Sequence, residues 1–138
     1  DIITGFCDET EEQHRETLDL MEKVGYDYAY MFKYSERPKT PAEKKFEDNI
    51  PDEVKTRRLQ EVIDLQRNLS FISNQKDVGK TFKVLVEGPS KKNKAENCGR
   101  NSQNKVLVFP AENSQKGDYV NVKVESCNSA TLRGFIVN

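Results

Sequence analysis

Apolar and polar residues along this chain follow two different periods. Up to about residue 76 the apolar positions recur at helical spacing between short β-favouring runs, and beyond it they alternate. Ile2-Ile3-Thr4-Gly5-Phe6 is a short apolar run ending in turn-like residues, the pattern of a buried strand. Thr10 and Gln13 stand in a Thr-Glu-Glu-Gln order that reads as a capping box, the hydroxyl and the amide each satisfying a free backbone N–H. Glu11 and Glu12 suit the positive end of a helix dipole. Thr17, Leu18, Met21 and Val24 follow at helical spacing and Gly25 is a natural stop, so a helix is predicted over residues 11–24. Tyr26 to Tyr34 is aromatic-rich and predicts a second strand. Strand, helix and strand with a short return form a βαβ unit with parallel pairing. One such unit cannot close a sheet, so it reads as the tail of a larger α/β domain.

Residues 35–51 hold Pro38, Pro41, Pro51 and many charges and predict an extended loop. Pro51, Asp52 and Glu53 open a second helix. Val54, Leu59, Val62, Ile63, Leu65, Leu69 and Ile72 carry it to about residue 75 as a long amphipathic rod, and Asp77-Val78-Gly79-Lys80 breaks it. The period then changes. Thr81–Glu87, Lys105–Phe109, Tyr119–Val124 and Leu132–Val137 predict short strands separated by turns, which together indicate a small antiparallel β-barrel of the OB type. The expected fold class is α+β: a βαβ remnant of a partial (β/α) barrel and a long helix over residues 1–76, then a barrel over 77–138.

Composition narrows the choice. The 138 residues are 35% hydrophobic and 33% charged, with a formal net charge of -1. No apolar run approaches the ~18 residues that span a membrane. The first residues lack the basic and apolar regions of a signal peptide, and a start at Asp1 in an apolar run reads as a cut from something longer. Cys7, Cys98 and Cys127 are odd in number and lack CxxC spacing, which argues against a disulfide framework or a zinc site and for reduced, cytosolic thiols. The net charge hides a split. Residues 1–76 hold 12 Lys+Arg against 17 Asp+Glu, or -5, and residues 77–138 hold 10 against 6, or +4. An acidic first half and a basic second half predict two modules, the second facing an anionic partner.

Each candidate for chemistry has a plainer reading beside it. The acids Asp8, Glu9, Glu11 and Glu12 fit a solvated helix start better than acid/base work. His14, the single histidine, has no partner at ligand spacing and reads as a surface or packing residue. Cys7 follows a strand, where α/β sites lie, but reads as structural. Gly79-Lys80-Thr81 echoes a phosphate loop, yet Asn74 stands where its first glycine is required. The Lys91-Lys92-Asn93-Lys94 cluster lies between two strands. With Lys80, Lys83, Arg100, Lys105, Lys123 and Arg133 it makes the second half basic. A phosphate backbone is the natural partner of such charge, and a solvated loop is the alternative. Gly99 to Asn104, with Asn101 at its centre, adds polar side chains able to bond bases or ribose. Tyr119 and Phe109 could stack on bases, although alternating aromatics in a barrel are more often core.

Several segments carry a resemblance. DIITGFCDETEEQHRETLDLM, VGYDYAYMFKYSERPKTPA, RRLQEVIDLQ, VGKTFKVLVEGPSKK, GRNSQNKVLVFP and GDYVNVKVESCNSATLRG are similar, in this order, to the C-terminal part of MiaB-type tRNA methylthiotransferases, which are radical S-adenosylmethionine enzymes. The resemblance implies that residues 1–76 are the end of the radical-enzyme domain and residues 77–138 a TRAM domain that binds tRNA. It implies a parent enzyme that methylthiolates isopentenylated adenosine beside the anticodon, using two [4Fe–4S] clusters and adenosylmethionine. The cluster-binding CxxxCxxC motif does not occur here, so the fragment alone is expected to be inactive, with no metal of its own. By resemblance, Ile3, Gly5, Tyr34 and Arg37 border the adenosylmethionine, near strand C-termini where barrel sites are built. The residues expected to bind RNA are Lys83, Lys91, Lys92, Lys94, Arg100, Asn101, Lys105 and Arg133. The expected partners are tRNA and the remaining domains of the same enzyme, with no membrane. Many family members have Pro-Gly where this chain has Cys7-Asp8, and glycine where it has Lys39. Two alternatives stay open: a sister methylthiotransferase acting on threonylcarbamoyl-adenosine or a ribosomal protein, and a free RNA-binding barrel with a helical arm.

Overall fold

The computed structural model describes residues 1–137. They form two compact units, Asp1–Leu69 and Ser70–Asn138. The first holds β1 (Ile2–Thr4), α1 (Glu11–Val24), β2 (Met31–Lys33), α2 (Pro41–Lys45) and most of α3 (Asp52–Gln75). β1 and β2 pair in parallel, with Ile2 opposite Met31 and Thr4 opposite Lys33, so the βαβ unit is present. The capping box at the head of α1 is complete, and Gly25 ends the helix in the left-handed conformation (φ 66°). The second strand is shorter than the aromatic run suggested. β1 offers only three residues to pair with, so of Tyr26–Tyr30 only Tyr30 bonds to it, its carbonyl accepting from the Ile2 N–H (2.8 Å). The loop at 35–51 contains one short helix, since Thr40 caps it and Pro41 suits its first turn.

The buried stripe of α3 is mostly polar, unlike the apolar rod its sequence suggested. Lys55, Arg58, Val62 and Gln66 are buried in the first unit, while Leu59, Ile63, Leu65 and Leu69 are only half-buried. The buried polar groups are tolerable because they are paired. Lys55 Nζ donates to Asp48 Oδ1 (2.5 Å) and Oδ2 (2.7 Å). Arg58 donates to Glu9 Oε1 (2.9 Å), to the Glu9 carbonyl (3.0 Å) and to Glu11 Oε1 (2.8 Å). Arg57 bonds Glu11 and Glu61. His14 is buried, with Nε2 2.7 Å from Glu61 Oε2. Glu9 and Glu11 therefore join α1 to α3 rather than merely facing solvent.

The second unit is a closed five-stranded barrel of β3 (Thr81–Pro89), β4 (Glu96–Arg100), β5 (Val106–Pro110), β6 (Tyr119–Cys127) and β7 (Leu132–Val137). The order around it is β3-β4-β5-β7-β6. Four pairings are antiparallel, and β5 with β7 is parallel, the one departure from an all-antiparallel barrel. Val84, Val86, Leu107, Phe109, Val122, Val124 and Leu132 fill the interior. β4 had no strand signature because its inward positions are Asn97 and Gly99. Gly99 cannot be larger: a Cβ there would lie 2.2 Å from the Leu85 carbonyl oxygen. The period change near residue 77 marks where helix gives way to strand. The units divide earlier because the last turns of α3 bond the barrel, Asn74 Nδ2 donating to the Asn128 carbonyl (2.9 Å). No helix among the described residues is long and apolar enough to cross a membrane.

Candidate nucleic-acid interface

The lysine cluster sits in residues 90–95, the loop joining the first two strands of the barrel. Asn93 builds this loop. Its Oδ1 accepts from the Ala95 N–H (3.0 Å) and its carbonyl from the Glu96 N–H (3.1 Å), while Ser90 N–H closes the hairpin onto the Glu96 carbonyl (2.7 Å). Lys91, Lys92 and Lys94 are exposed and carry no ion pair among the described residues. Three ammonium groups on one short turn make an exposed basic surface.

The other basic candidates divide by what already holds them. Lys83, exposed on β3, lies over the Tyr119 ring, its Nζ 4.9 Å from the centroid. Arg100 bonds Glu87 (3.1 Å) and Asn104, and Arg133 bonds Glu96 (3.0 Å). These are surface pairs worth about 0–1 kcal/mol, so a phosphate oxygen can displace either carboxylate. Asn101 and Lys105 have structural work. Asn101 is buried, and its Oδ1 accepts from the N–H of Gln103 (3.1 Å) and of Lys105 (3.0 Å), shaping the β4–β5 turn. Lys105 Nζ donates to Asp77 Oδ2 (2.6 Å) and Ser73 Oγ (2.8 Å) with both ends of the pair largely buried. Burial pushes the Asp77 carboxyl up, but hydrogen bonds from Lys105 and Lys80 outweigh it and hold the group below the usual carboxylate range. Phe109 is core, whereas Tyr119 is 64% exposed. Tyr119 opens β6 on the phase opposite Val120, Val122 and Val124, which places it outside, whereas Phe109 falls on an inward position of β5.

In the first unit, Ile3, Tyr34 and Arg37 line one open cavity of about 540 Å³, together with Phe32, Lys33 and Thr40. Gly5 does not line it. Gly5 has φ 72° and faces Lys55, whose Cγ lies 2.5 Å from where a Cβ would be, so its smallness makes room for the lysine stem. Tyr34 is held by Phe6 edge-on (4.9 Å between centroids) and by Lys55 Nζ 5.3 Å from its ring centre. Burial, with Cys7 beside it, pushes the Tyr34 phenol up. Cys7 is buried in this unit and Cys98 and Cys127 belong to the barrel, all three as free thiols. Among the described residues, no three His, Cys, Asp or Glu side chains gather as a metal site.

A five-stranded Greek-key barrel with a basic loop between its first two strands is an oligonucleotide-binding architecture. Residues 75–137, which contain the whole barrel, match the TRAM domain family. Nearly the whole chain is also similar to proteins named tRNA-2-methylthio-N(6)-dimethylallyladenosine synthase. It is 57% identical over 99% of its length to one from Amoebophilus asiaticus, taking in 28% of that protein. It is 55% identical over 97% of its length to one from Bacteroides fragilis (29% of that protein), and 52% identical over 99% to one from Flavobacterium johnsoniae (28%). The similarity covers both units and bears out the resemblance to MiaB-type enzymes, and the chain spans less than a third of the length of these relatives.

Proposed function

We propose that this chain is the tRNA-binding end of an enzyme that methylthiolates isopentenylated adenosine next to the anticodon. The observation that carries the proposal is the exposed lysine loop, Lys91, Lys92 and Lys94, without an ion pair among the described residues, at the first hairpin of a barrel that matches the TRAM family. The names of the relatives favour the dimethylallyl-adenosine target over the sister substrates. Lys83, Arg100 and Arg133 extend the basic surface. Ile3, Tyr34 and Arg37 would border adenosylmethionine, an apolar edge, an aromatic and a cation around one open cavity. When bound with its iron–sulfur clusters, that group supplies a radical and a methyl group. The cluster-binding cysteine motif is not in these residues, so the fragment by itself binds rather than catalyses, in the cytoplasm beside the remaining domains of its enzyme.

The test is tRNA affinity against salt. The full chain should bind tRNA with a steep fall of log K against log salt, since neutralised phosphates release counterions. Replacing Lys91, Lys92 and Lys94 together by serine should flatten that slope by about 0.9 for each phosphate that is no longer neutralised. An unchanged slope would reduce the cluster to a solvated loop.

A further inference from the structure

Tyr119 is 64% exposed in a chain that has no tryptophan and few aromatics on its barrel surface. It is not loose. Lys83 Nζ lies 4.9 Å from its ring centre, and Leu85 stands opposite it on β3. Beside the ring opens a cleft of about 340 Å³ lined by Glu112, Asn113, Ser114 and Asp118, a volume within the range of small-ligand sites. Asp118 Oδ2 accepts from the Gln115 N–H (2.8 Å), which leaves its other oxygen open. Glu112 and Asn113 make no side-chain hydrogen bond or ion pair among the described residues. The 111–118 loop is anchored next to the lysine loop: Ala111 N–H donates to the Ala95 carbonyl (3.0 Å) and Asn97 Nδ2 to the Ser114 carbonyl (3.0 Å).

The two loops thus meet at one end of the barrel with opposite chemistry. The lysines suit phosphates. The cleft, with its carboxylates, repels phosphates but accepts hydrogen bonds from an amino group or a ribose hydroxyl. The exposed aromatic face of Tyr119 on the wall of the cleft offers stacking, which every base can use. We infer that Tyr119 and the adjoining cleft hold one unpaired RNA base bearing an exocyclic amino group, while Lys83 and the 90–95 loop hold the phosphates beside it. This site rests on the RNA-binding reading above and extends it from charge to base recognition.

Two probes separate the site from that reading: a labelled oligoadenylate of about eight nucleotides, and an abasic ribose-phosphate strand of the same length. In the full chain, Tyr119→Ala should weaken oligoadenylate binding about five- to a hundredfold, with the salt slope unchanged. Tyr119→Phe should keep it, and neither change should alter binding of the abasic strand. Tyr119→Trp places the only tryptophan of the chain at the site, and its fluorescence should be quenched by oligoadenylate and not by the abasic strand. An equal loss on both probes, no loss on Tyr119→Ala, or an unquenched Tyr119→Trp would overturn the stacking site while leaving the lysine surface standing. Failure of the full chain to bind tRNA at all would remove the RNA-binding reading and the site with it.

Discussion

Lys39 sits in a backbone conformation that lysine adopts at a cost. Its φ is 68°, and the Thr40 N–H reaches back to the Arg37 carbonyl (3.4 Å) across Pro38 and Lys39. Proline second and a positive φ third are the requirements of a type II turn, whose third position favours glycine. Asp8 has the same strain at φ 63°, but there the side chain repays part of it, since Asp8 and Asn49 exchange two hydrogen bonds (3.0 and 2.5 Å). At both positions the positive φ favours glycine on backbone geometry alone, whatever the chemistry of the neighbouring site. A left-handed non-glycine residue costs about 1–2 kcal/mol, and glycine gives back about 0.5–1 kcal/mol through its freer unfolded state. Lys39→Gly should therefore stabilise the chain by roughly 0.5–1 kcal/mol and raise Tm by a few degrees, and Lys39→Ala, which keeps the strain, should not. Thermal unfolding of the two variants checks this, and a Tm that falls with glycine would show the turn to be unstrained.

The end of α3 and the start of β5 meet through Lys105, a residue whose positive charge in the sequence pointed outward to RNA. Charge counting cannot show which lysine has an internal carboxylate, and here the folded chain places Asp77 and Ser73 within 2.8 Å of its ammonium. The same blindness hid the polar stripe of α3, because Arg58 and Lys55 find partners 49 and 7 residues away in sequence. It hid β4 too, where Gly99 serves close strand approach rather than alternation. What was legible was local: the capping box at Thr10, the stop at Gly25 and the alternating valines of β3 and β6. Lys105→Met should cost about 3 kcal/mol at neutral pH, the bottom of the range for breaking a buried pair, because Asp77 keeps Lys80 (3.0 Å). The sign of the pH effect follows from Asp77. Its folded pKa is depressed, so its contribution is present above the ordinary carboxylate value and lost as pH falls through the lower folded one. The gap between the parent chain and Lys105→Met should accordingly start to close once pH falls below the ordinary Asp value of about 3.9 and go on closing in stronger acid. Denaturant unfolding across pH checks it, and a gap that persists in acid would mean that packing of the lysine stem, not the ion pair, is what the substitution removes.

Across the whole molecule the charge changes sign near residue 77, while the compact units divide at Leu69 and Ser70. Apolar packing also differs between the two units. Among the described residues ten apolar side chains are buried, and seven of them line the barrel. In the barrel every strand has neighbours on both sides, which removes exposed edges. In the first unit the sheet is two strands of three residues with a free edge on each side, and Ile3 and Phe32 are more than half exposed. Its helices are joined mainly by the Glu9, Glu11, Arg57, Arg58 and Glu61 network, whose outer members are open to water and to salt. Local opening free energy follows apolar burial and protected hydrogen bonds. Amide exchange of the full chain should therefore be slowest in β3, β5 and β6. Ile2–Thr4 and Met31–Lys33 should exchange fastest of all the paired strands, and raising the salt should speed α1 more than the barrel. Equal protection of β1, β2 and the barrel strands in a monomer would show that the short parallel pair is held by more than its own ladder, and that the apolar face of Ile3 and Phe32 is covered in solution.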